Sequence, residues 1–273
     1  MKRIDLIKLE HNTKIGDKCP YIQPNITEDC IFYDNGEPIG FYLTKMPEKM
    51  CKLADLANAE FRSKNVPKTE TARSNLKEVF DENKKRIGMV DRTNLLGNEV
   101  VKQYSSIIGS IAPKPHLGRN YKNKSSVHAV KTAQTFIKAM LLLAKESEQL
   151  IKELLPKQYE QQIELFKDVD EKWRFGNLFT SSISNFNISA PFHRDTGNIV
   201  GAVNVIICKK FNSKGGDLHI PDYNTTIGQQ DNSILVYPAW KNVHGVTPII
   251  PTFENGYRNS LVFYPLKAFK GLK

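Results

Sequence analysis

Three side chains in the last third of the sequence are suited to holding a transition metal. His193 and Asp195 stand two residues apart in Pro191-Phe192-His193-Arg194-Asp195, and His244 follows in Asn242-Val243-His244-Gly245. Two imidazoles and one carboxylate occupy one face of a metal and leave the opposite face open. That arrangement suits Fe(II) that must bind an oxidisable cosubstrate and O2 together. Further on, Arg258 and Ser260 stand two apart in Tyr257-Arg258-Asn259-Ser260-Leu261. A dicarboxylate that chelates iron at one end needs a cation for its other carboxylate, and a guanidinium offers a planar, bidentate fork that an ammonium lacks. Ser260 can add a hydroxyl donor to the same carboxylate if both side chains face one pocket. H-x-D alone arises by chance in many proteins. Taken singly, His193 reads as a loop or N-cap histidine, His244 as a buried and satisfied one, and Arg258 as half of a surface ion pair. Their order within one β-prone region favours the metal. His219, after Gly215-Gly216-Asp217-Leu218, is a weaker rival there, and His11, His116 and His128 have no comparable setting.

The elements that must position these residues follow from the pattern of apolar runs. After Trp173, short β-prone runs separated by Gly, Asn, Asp and Pro predict strands over 178–189, 199–208, 217–220, 233–237, 245–249 and 258–264. Regularly spaced short strands imply a sandwich or barrel. Residues two apart on a strand point the same way, so His193 is expected to share a face with Asp195, and Arg258 with Ser260. His244 must come from another strand, which a jelly roll supplies. Near the N-terminus two β-prone runs flank Asp34-Asn35-Gly36-Glu37-Pro38, a hairpin signal within 28–45. Pro47 opens a helix through Met50, Leu53, Leu56, Ala57 and Phe61. The clearest helical stripe runs from Val130 through Phe136, Ile137, Met140, Leu141 and Ala144 to Ile151, Leu154 and Leu155. Pro156 ends it or starts the next, marked by Tyr159, Ile163 and Phe166. The stretch 62–126, broken by Pro67, Pro113 and Pro115, reads mostly as loop. The expected organisation is one catalytic domain over 1–273, with the hairpin at 28–45, a helical and basic region at 46–172 and the β core at 173–273.

Hydrophobic residues at 40% and charged residues at 25% of the 273 exclude wholesale disorder. The formal net charge is +10, and most of it is local. Between Arg62 and Lys131 there are 15 basic and 6 acidic residues. A solvated surface accounts for some of this, but the concentration points to a polyanion-binding face, nucleic acid first. Lys84, Lys85, Arg86, Arg119, Lys122 and Lys124 are the candidate phosphate contacts. Cys19, Cys30, Cys51 and Cys208 form no C-x-x-C pair and read as free thiols of a reducing compartment. No apolar run is long enough to span a bilayer, and the basic N-terminus lacks the apolar core of a secretory signal. A soluble intracellular protein with no membrane partner and no obligate protein partner is expected.

The constellation resembles the 2-oxoglutarate/Fe(II) dioxygenase superfamily. Within it, the sequence is most similar to the ten-eleven-translocation/J-binding-protein group of nucleic-acid base hydroxylases. The similarity covers about 173–269. It includes Phe179-Thr180-Ser181-Ser182-Ile183-Ser184-Asn185, Ala190-Pro191-Phe192-His193-Arg194-Asp195-Thr196-Gly197-Asn198, Gly215-Gly216-Asp217-Leu218-His219-Ile220-Pro221-Asp222-Tyr223 and His244-Gly245-Val246-Thr247-Pro248-Ile249, preceded by Leu155-Pro156-Lys157-Gln158-Tyr159. The resemblance implies an α+β fold, mainly β, with a double-stranded β-helix (jelly roll) core and flanking helices. It implies His193, Asp195 and His244 as Fe(II) ligands, Arg258 on the distal carboxylate of 2-oxoglutarate, and O2 as cosubstrate. Ser260 is added by strand geometry. It further implies hydroxylation of the 5-methyl group of a pyrimidine in DNA, 5-methylcytosine or thymine. A methyl inside a duplex is reachable only when its base leaves the stack. Asn185, Asn187, Phe192, Asn198, Tyr223 and Trp240 are the candidate pocket residues for that base. The cysteine-rich zinc region of the large vertebrate members has no counterpart here, which leaves the grip on substrate to the basic stretch. Two other readings use the same residues. One is a hydroxylase of a protein side chain or small molecule. The other is a nucleic-acid-binding jelly roll with a degenerate iron site, which the complete set of four key residues disfavours.

Overall fold

The N-terminal strands are β1 (Lys2–Asp5), which runs parallel to β2 (Cys30–Asp34), and β3 (Glu37–Leu43), antiparallel to β2. Asn35 and Gly36 turn the chain between β2 and β3 with φ of 51° and 81°, the left-handed pair that matches the twist of a hairpin. In the computed structural model residues 1–70, 76–80, 82–83, 85–91, 103–115 and 118–271 are described, with backbone alone for 70, 76–80 and 86–91. Helix α1 (Glu48–Arg62) starts after Pro47 and buries Met50, Cys51, Ala54, Ala57 and Phe61, a stripe at three- and four-residue spacing. Strand β4 (Tyr104–Ile111) follows, then α2 (Gln134–Leu154), which buries Phe136, Ile137, Met140, Leu143, Ala144 and Ile151. Pro156 opens α3 (Pro156–Phe166) at the position where its missing N–H costs nothing.

Eight strands of the remaining chain build the two main sheets: β5 (Ser181–Phe186), β6 (Ala190–His193), β7 (Asn204–Phe211), β8 (Leu218–Ile220), β9 (Thr225–Ile227), β10 (Ile234–Tyr237), β11 (His244–Val246) and β12 (Tyr257–Tyr264), while Ser213–Gly215 and Ile249–Pro251 pair separately. The major sheet has the order β1-β2-β3-β10-β7-β12-β5-β4, extended by Thr69–Glu70 and Asn123–Lys124; the minor sheet is β6-β11-β8-β9. From β5 to β12 the chain alternates between the sheets, β8 and β9 being a hairpin within the minor one. That winding is a double-stranded β-helix, as the motifs imply.

Side-chain alternation then assigns the two faces of the major sheet. Val205, Ile207, Leu261 and Phe263 point outward and pack with Phe61, Phe136 and Met140 of α1 and α2. Asn204, Ile206, Arg258, Ser260 and Val262 point inward and line a cavity between the sheets. Glu148 of α2 is buried and fixes the chain ahead of β5, accepting from the Asn177 and Leu178 N–H groups (2.6 and 3.1 Å) and from Asn177 Nδ2 (2.8 Å).

Two expectations about elements are corrected. The supposed loop region holds β4, which pairs with β5 over six residues from Tyr104 opposite Phe186 to Gly109 opposite Ser181. Its Ser105, Ser106, Gly109 and Ser110 break the apolar alternation that marks a strand. Yet Ser106 and Ser110 are buried against an equally serine-rich partner, and Tyr104 stacks on Phe186 at 4.4 Å. The single strand expected over 178–189 ends at Phe186, where Asn187 (φ 53°) turns the chain into β6. The four cysteines are free and buried. Among the described residues no helix is long and apolar enough to cross a membrane.

Candidate active site

Strands β6 and β11 are antiparallel neighbours and set His193 opposite His244, with ring centroids 4.3 Å apart. Asp195 reaches the pair by a different route from the one expected. β6 ends at His193, and Asp195 lies in the turn beyond it. Its N–H donates to Ala239 O (3.2 Å) and its carbonyl accepts from Asn198 N–H (3.0 Å). The turn, rather than strand alternation, brings Asp195 Oδ1 to 3.6 Å from His193 Nε2. One ligand atom from each of His193, Asp195 and His244 lies within 4.8 Å of the others.

The hydrogen bonds around these groups fit a metal. His193 Nδ1 faces Pro191 O (2.8 Å) and His244 Nδ1 faces Asn242 O (3.1 Å). A carbonyl only accepts, so each Nδ1 carries the proton and each Nε2 keeps its lone pair for a ligand. Burial pushes the His244 imidazole down to about 3, helped by the neighbouring His193 and Arg194, so it is neutral and ready to coordinate. Asp195 Oδ2 accepts from Asn204 Nδ2 (3.1 Å) and more weakly from Asn198 Nδ2 (3.5 Å), while Asn198 Nδ2 also donates to Asn204 Oδ1 (2.9 Å). Oδ1 is left toward the histidines. Burial raises the Asp195 carboxyl pKa, and His193 and the two amides lower it in part. A divalent cation held there would supply the positive charge that a buried carboxylate needs.

The cavity measures about 450 Å³ and holds the three groups together with Arg258 and Ser260. Arg258 is 3% exposed and its Nε has no partner. Among the described residues no carboxylate lies within ion-pair distance of it. A buried, unpaired guanidinium is costly unless an anion completes it, and a ligand carboxylate entering the cavity would do so. Gly216, at φ +70°, makes room for it. A Cβ there would lie 3.1 Å from Arg258 Cδ. Ser260 Oγ accepts from Asn185 Nδ2 (3.4 Å), which leaves its hydroxyl proton to donate.

The remaining candidates separate cleanly. Asn185 and Asn198 line the cavity, although Asn198 is engaged by Asn204 and Asp195. Asn187, Phe192, Tyr223 and Trp240 do not line it. Asn187 bonds the backbone of Arg258 in both directions, its N–H donating to Arg258 O and its Oδ1 accepting from Arg258 N–H (both 2.9 Å). Phe192 is buried on the far side of the minor sheet with Cys19 and Val243. Tyr223 OH donates to Asn242 Oδ1 (3.3 Å) and Trp240 Nε1 to Ala202 O (2.8 Å). His219 is held by Thr226 Oγ1 (2.8 Å) and stands outside the trio. Of the basic candidates, Lys84 and the side chain of Arg86 lie outside the described residues, and Lys85 is exposed. The Lys124 ammonium turns onto Ser110 Oγ (3.2 Å) and Lys122 is half-buried. Arg119 exchanges two backbone hydrogen bonds with Lys114 (2.7 and 3.2 Å). Lys114 stands on the cavity wall, where exposed Arg194 joins it. Sequence reasoning passed over Lys114 as well as Asn204, which carries no motif and is recognisable only by what it touches.

Residues 113–267 match the family model Tet_JBP, the oxygenase domain of the 2OGFeDO superfamily. The chain belongs to this family, and so is an oxidoreductase that uses Fe(II), 2-oxoglutarate and O2. Among solved structures it resembles NgTET1 in complex with 5mC DNA, at 14% identity and a TM-score of 0.57, over 95% of this chain and 83% of that one. At that identity the likeness concerns the fold. A 2OG-Fe(II) oxygenase family oxidoreductase from Burkholderia pseudomallei (12% identity, TM-score 0.42, 82% and 84% covered) and OsALKBH1 (11% identity, TM-score 0.44, 84% and 97% covered) are more distant. No curated protein matches the chain.

Proposed function

We propose that this chain hydroxylates the 5-methyl group of a pyrimidine in DNA, 5-methylcytosine or thymine, with His193, Asp195 and His244 holding Fe(II) and Arg258 and Ser260 holding 2-oxoglutarate. The observation that carries the chemistry is the meeting, in one cavity, of the three metal-ligating atoms with a buried, unpaired guanidinium. Bound there, Fe(II) with 2-oxoglutarate and O2 supplies the oxidation of a C–H bond to an alcohol, with succinate and CO2 as co-products. The residues contribute position. Asn204 and Asn198 aim the Asp195 carboxylate, and the carbonyls of Pro191 and Asn242 fix the imidazole tautomers. Asn187 holds the backbone of Arg258.

The DNA substrate is supported by family membership and by the fold shared with a protein solved on 5mC DNA. The exposed basic side chains Lys114 and Arg194 on the cavity wall fit a backbone phosphate beside a base turned out of its stack. The test is mass spectrometry of nucleosides from methylated DNA incubated with protein, Fe(II), ascorbate and 2-oxoglutarate. A 5-hydroxymethyl product, absent with His193→Ala, is expected. Succinate formation stimulated by peptide or small molecule, with every nucleoside unchanged, overturns the DNA assignment.

A further inference from the structure

Gln229 follows β9, where the chain crosses from the minor to the major sheet. It is 1% exposed, and neither Nε2 nor Oε1 has a hydrogen-bond partner. A primary amide has two donors and an acceptor to satisfy, and buried amides in native proteins are nearly always paired. The backbone at this residue is in contrast fully tied down. Its N–H donates to Asp217 Oδ1 (2.8 Å), and its carbonyl accepts from Lys210 Nζ (3.1 Å) and Cys208 Sγ (3.6 Å). An amide that is idle on so rigid a support is prepared for a group not of the protein.

Its surroundings identify that group. Gln229 lines the same cavity as Arg258. The Gln229 N–H bonds the side chain of Asp217, which follows Gly216, the residue packed on the Arg258 stem. One cavity therefore holds an unpaired guanidinium Nε and an unpaired amide. Both offer N–H groups, and a carboxylate is acceptor-only with room for several.

We propose that Gln229 is a cosubstrate-binding residue whose amide N–H donates to the distal carboxylate of 2-oxoglutarate beside Arg258, so that the two residues together select a dicarboxylate. This rests on the reading of Arg258 as the carboxylate anchor and adds a second contact to it. Gln229 lies in Gly228-Gln229-Gln230-Asp231, a polar corner with nothing in sequence to single it out.

The test is calorimetric binding to the Fe(II)-loaded protein without O2, using 2-oxoglutarate and 2-oxopentanoate, the five-carbon analogue without the distal carboxylate. Gln229→Met keeps the unbranched length and removes the amide. The expected result is a Kd for 2-oxoglutarate raised about tenfold, as for the loss of one hydrogen bond to a charged group, with the Kd for 2-oxopentanoate unchanged. Gln229→Glu, which sets a second carboxylate against the ligand, is expected to weaken 2-oxoglutarate further and again to spare the analogue. An unchanged Kd for 2-oxoglutarate in Gln229→Met, or equal weakening of both ligands, overturns the proposal. Arg258→Met is measured alongside. If it leaves the affinity for 2-oxoglutarate intact, the anchor reading fails by itself, whatever Gln229 shows.

Discussion

Asn204→Ala is expected to weaken metal binding about tenfold while the fold survives. Asn204 Nδ2 is the nearer of two donors to Asp195 Oδ2, at 3.1 Å against 3.5 Å from Asn198. A hydrogen bond to a charged group contributes ~1.5–3 kcal/mol. The lower end applies, because the Asp195 side chain keeps 35% of its surface open to the cavity and water screens it there. About 1.5 kcal/mol corresponds to about tenfold in affinity. The loss falls on the metal because two things happen at once. The carboxylate becomes free to rotate Oδ1 away from the histidines, and an amide that lowers the Asp195 pKa is removed. Asn198→Ala, which removes the longer contact, should have the smaller effect. Anaerobic titration of Fe(II), or of Mn(II) as a stable substitute, reads the change directly, with thermal unfolding of the metal-free variants as the control on folding. Wild-type metal affinity in Asn204→Ala would refute the claim that this amide orients the ligand. A larger loss for Asn198→Ala would reverse the assignment of the two donors.

Stability should fall as pH drops below about 6.5 through His128. Burial and Lys124 depress its pKa from the ordinary 6.5, and its Nε2 accepts from Gly109 N–H (2.8 Å). A depressed histidine contributes stability that is present above the unfolded value and lost as pH falls through the folded one. His128→Asn should therefore flatten the decline in unfolding temperature between pH 7 and pH 5, and an unaltered decline would show that other groups govern it. Gly216→Ala should destabilise by about 1–2 kcal/mol, the cost of a left-handed residue with a Cβ, and should weaken 2-oxoglutarate because the Cβ lies 3.1 Å from Arg258 Cδ; unchanged binding by calorimetry would show that the arginine stem relaxes freely. The double variant Lys114→Ser with Arg194→Ser should reduce the slope of DNA affinity against salt on a log–log plot by about two, one per phosphate contact, and an unchanged slope in fluorescence anisotropy would place the phosphates elsewhere.

The jelly-roll winding, and the meeting of His193, Asp195, His244 and Arg258 in one cavity, were legible in the chain, because metal ligation and strand pairing each demand particular residue types at particular spacings. Period-two alternation put Arg258 and Ser260 of β12 on one face, and the helices α1 and α2 announced themselves by their stripes. Tertiary structure decided the rest. Asp195 joins the histidines through a turn pinned to Ala239 O, a contact between segments far apart in sequence. Phe192, Tyr223 and Trp240 have the chemistry of a base pocket, yet they pack elsewhere, since an aromatic side chain serves a core as readily as a ligand. Strand β4 stayed hidden because its serines are buried only by virtue of the equally small side chains of β5. Asn204 and Gln229 carry no local signal at all. The Asn204 amide takes its role from Asp195, 3.1 Å away, and the role proposed for Gln229 comes from the cavity it lines; both placements are created when the two sheets close on each other.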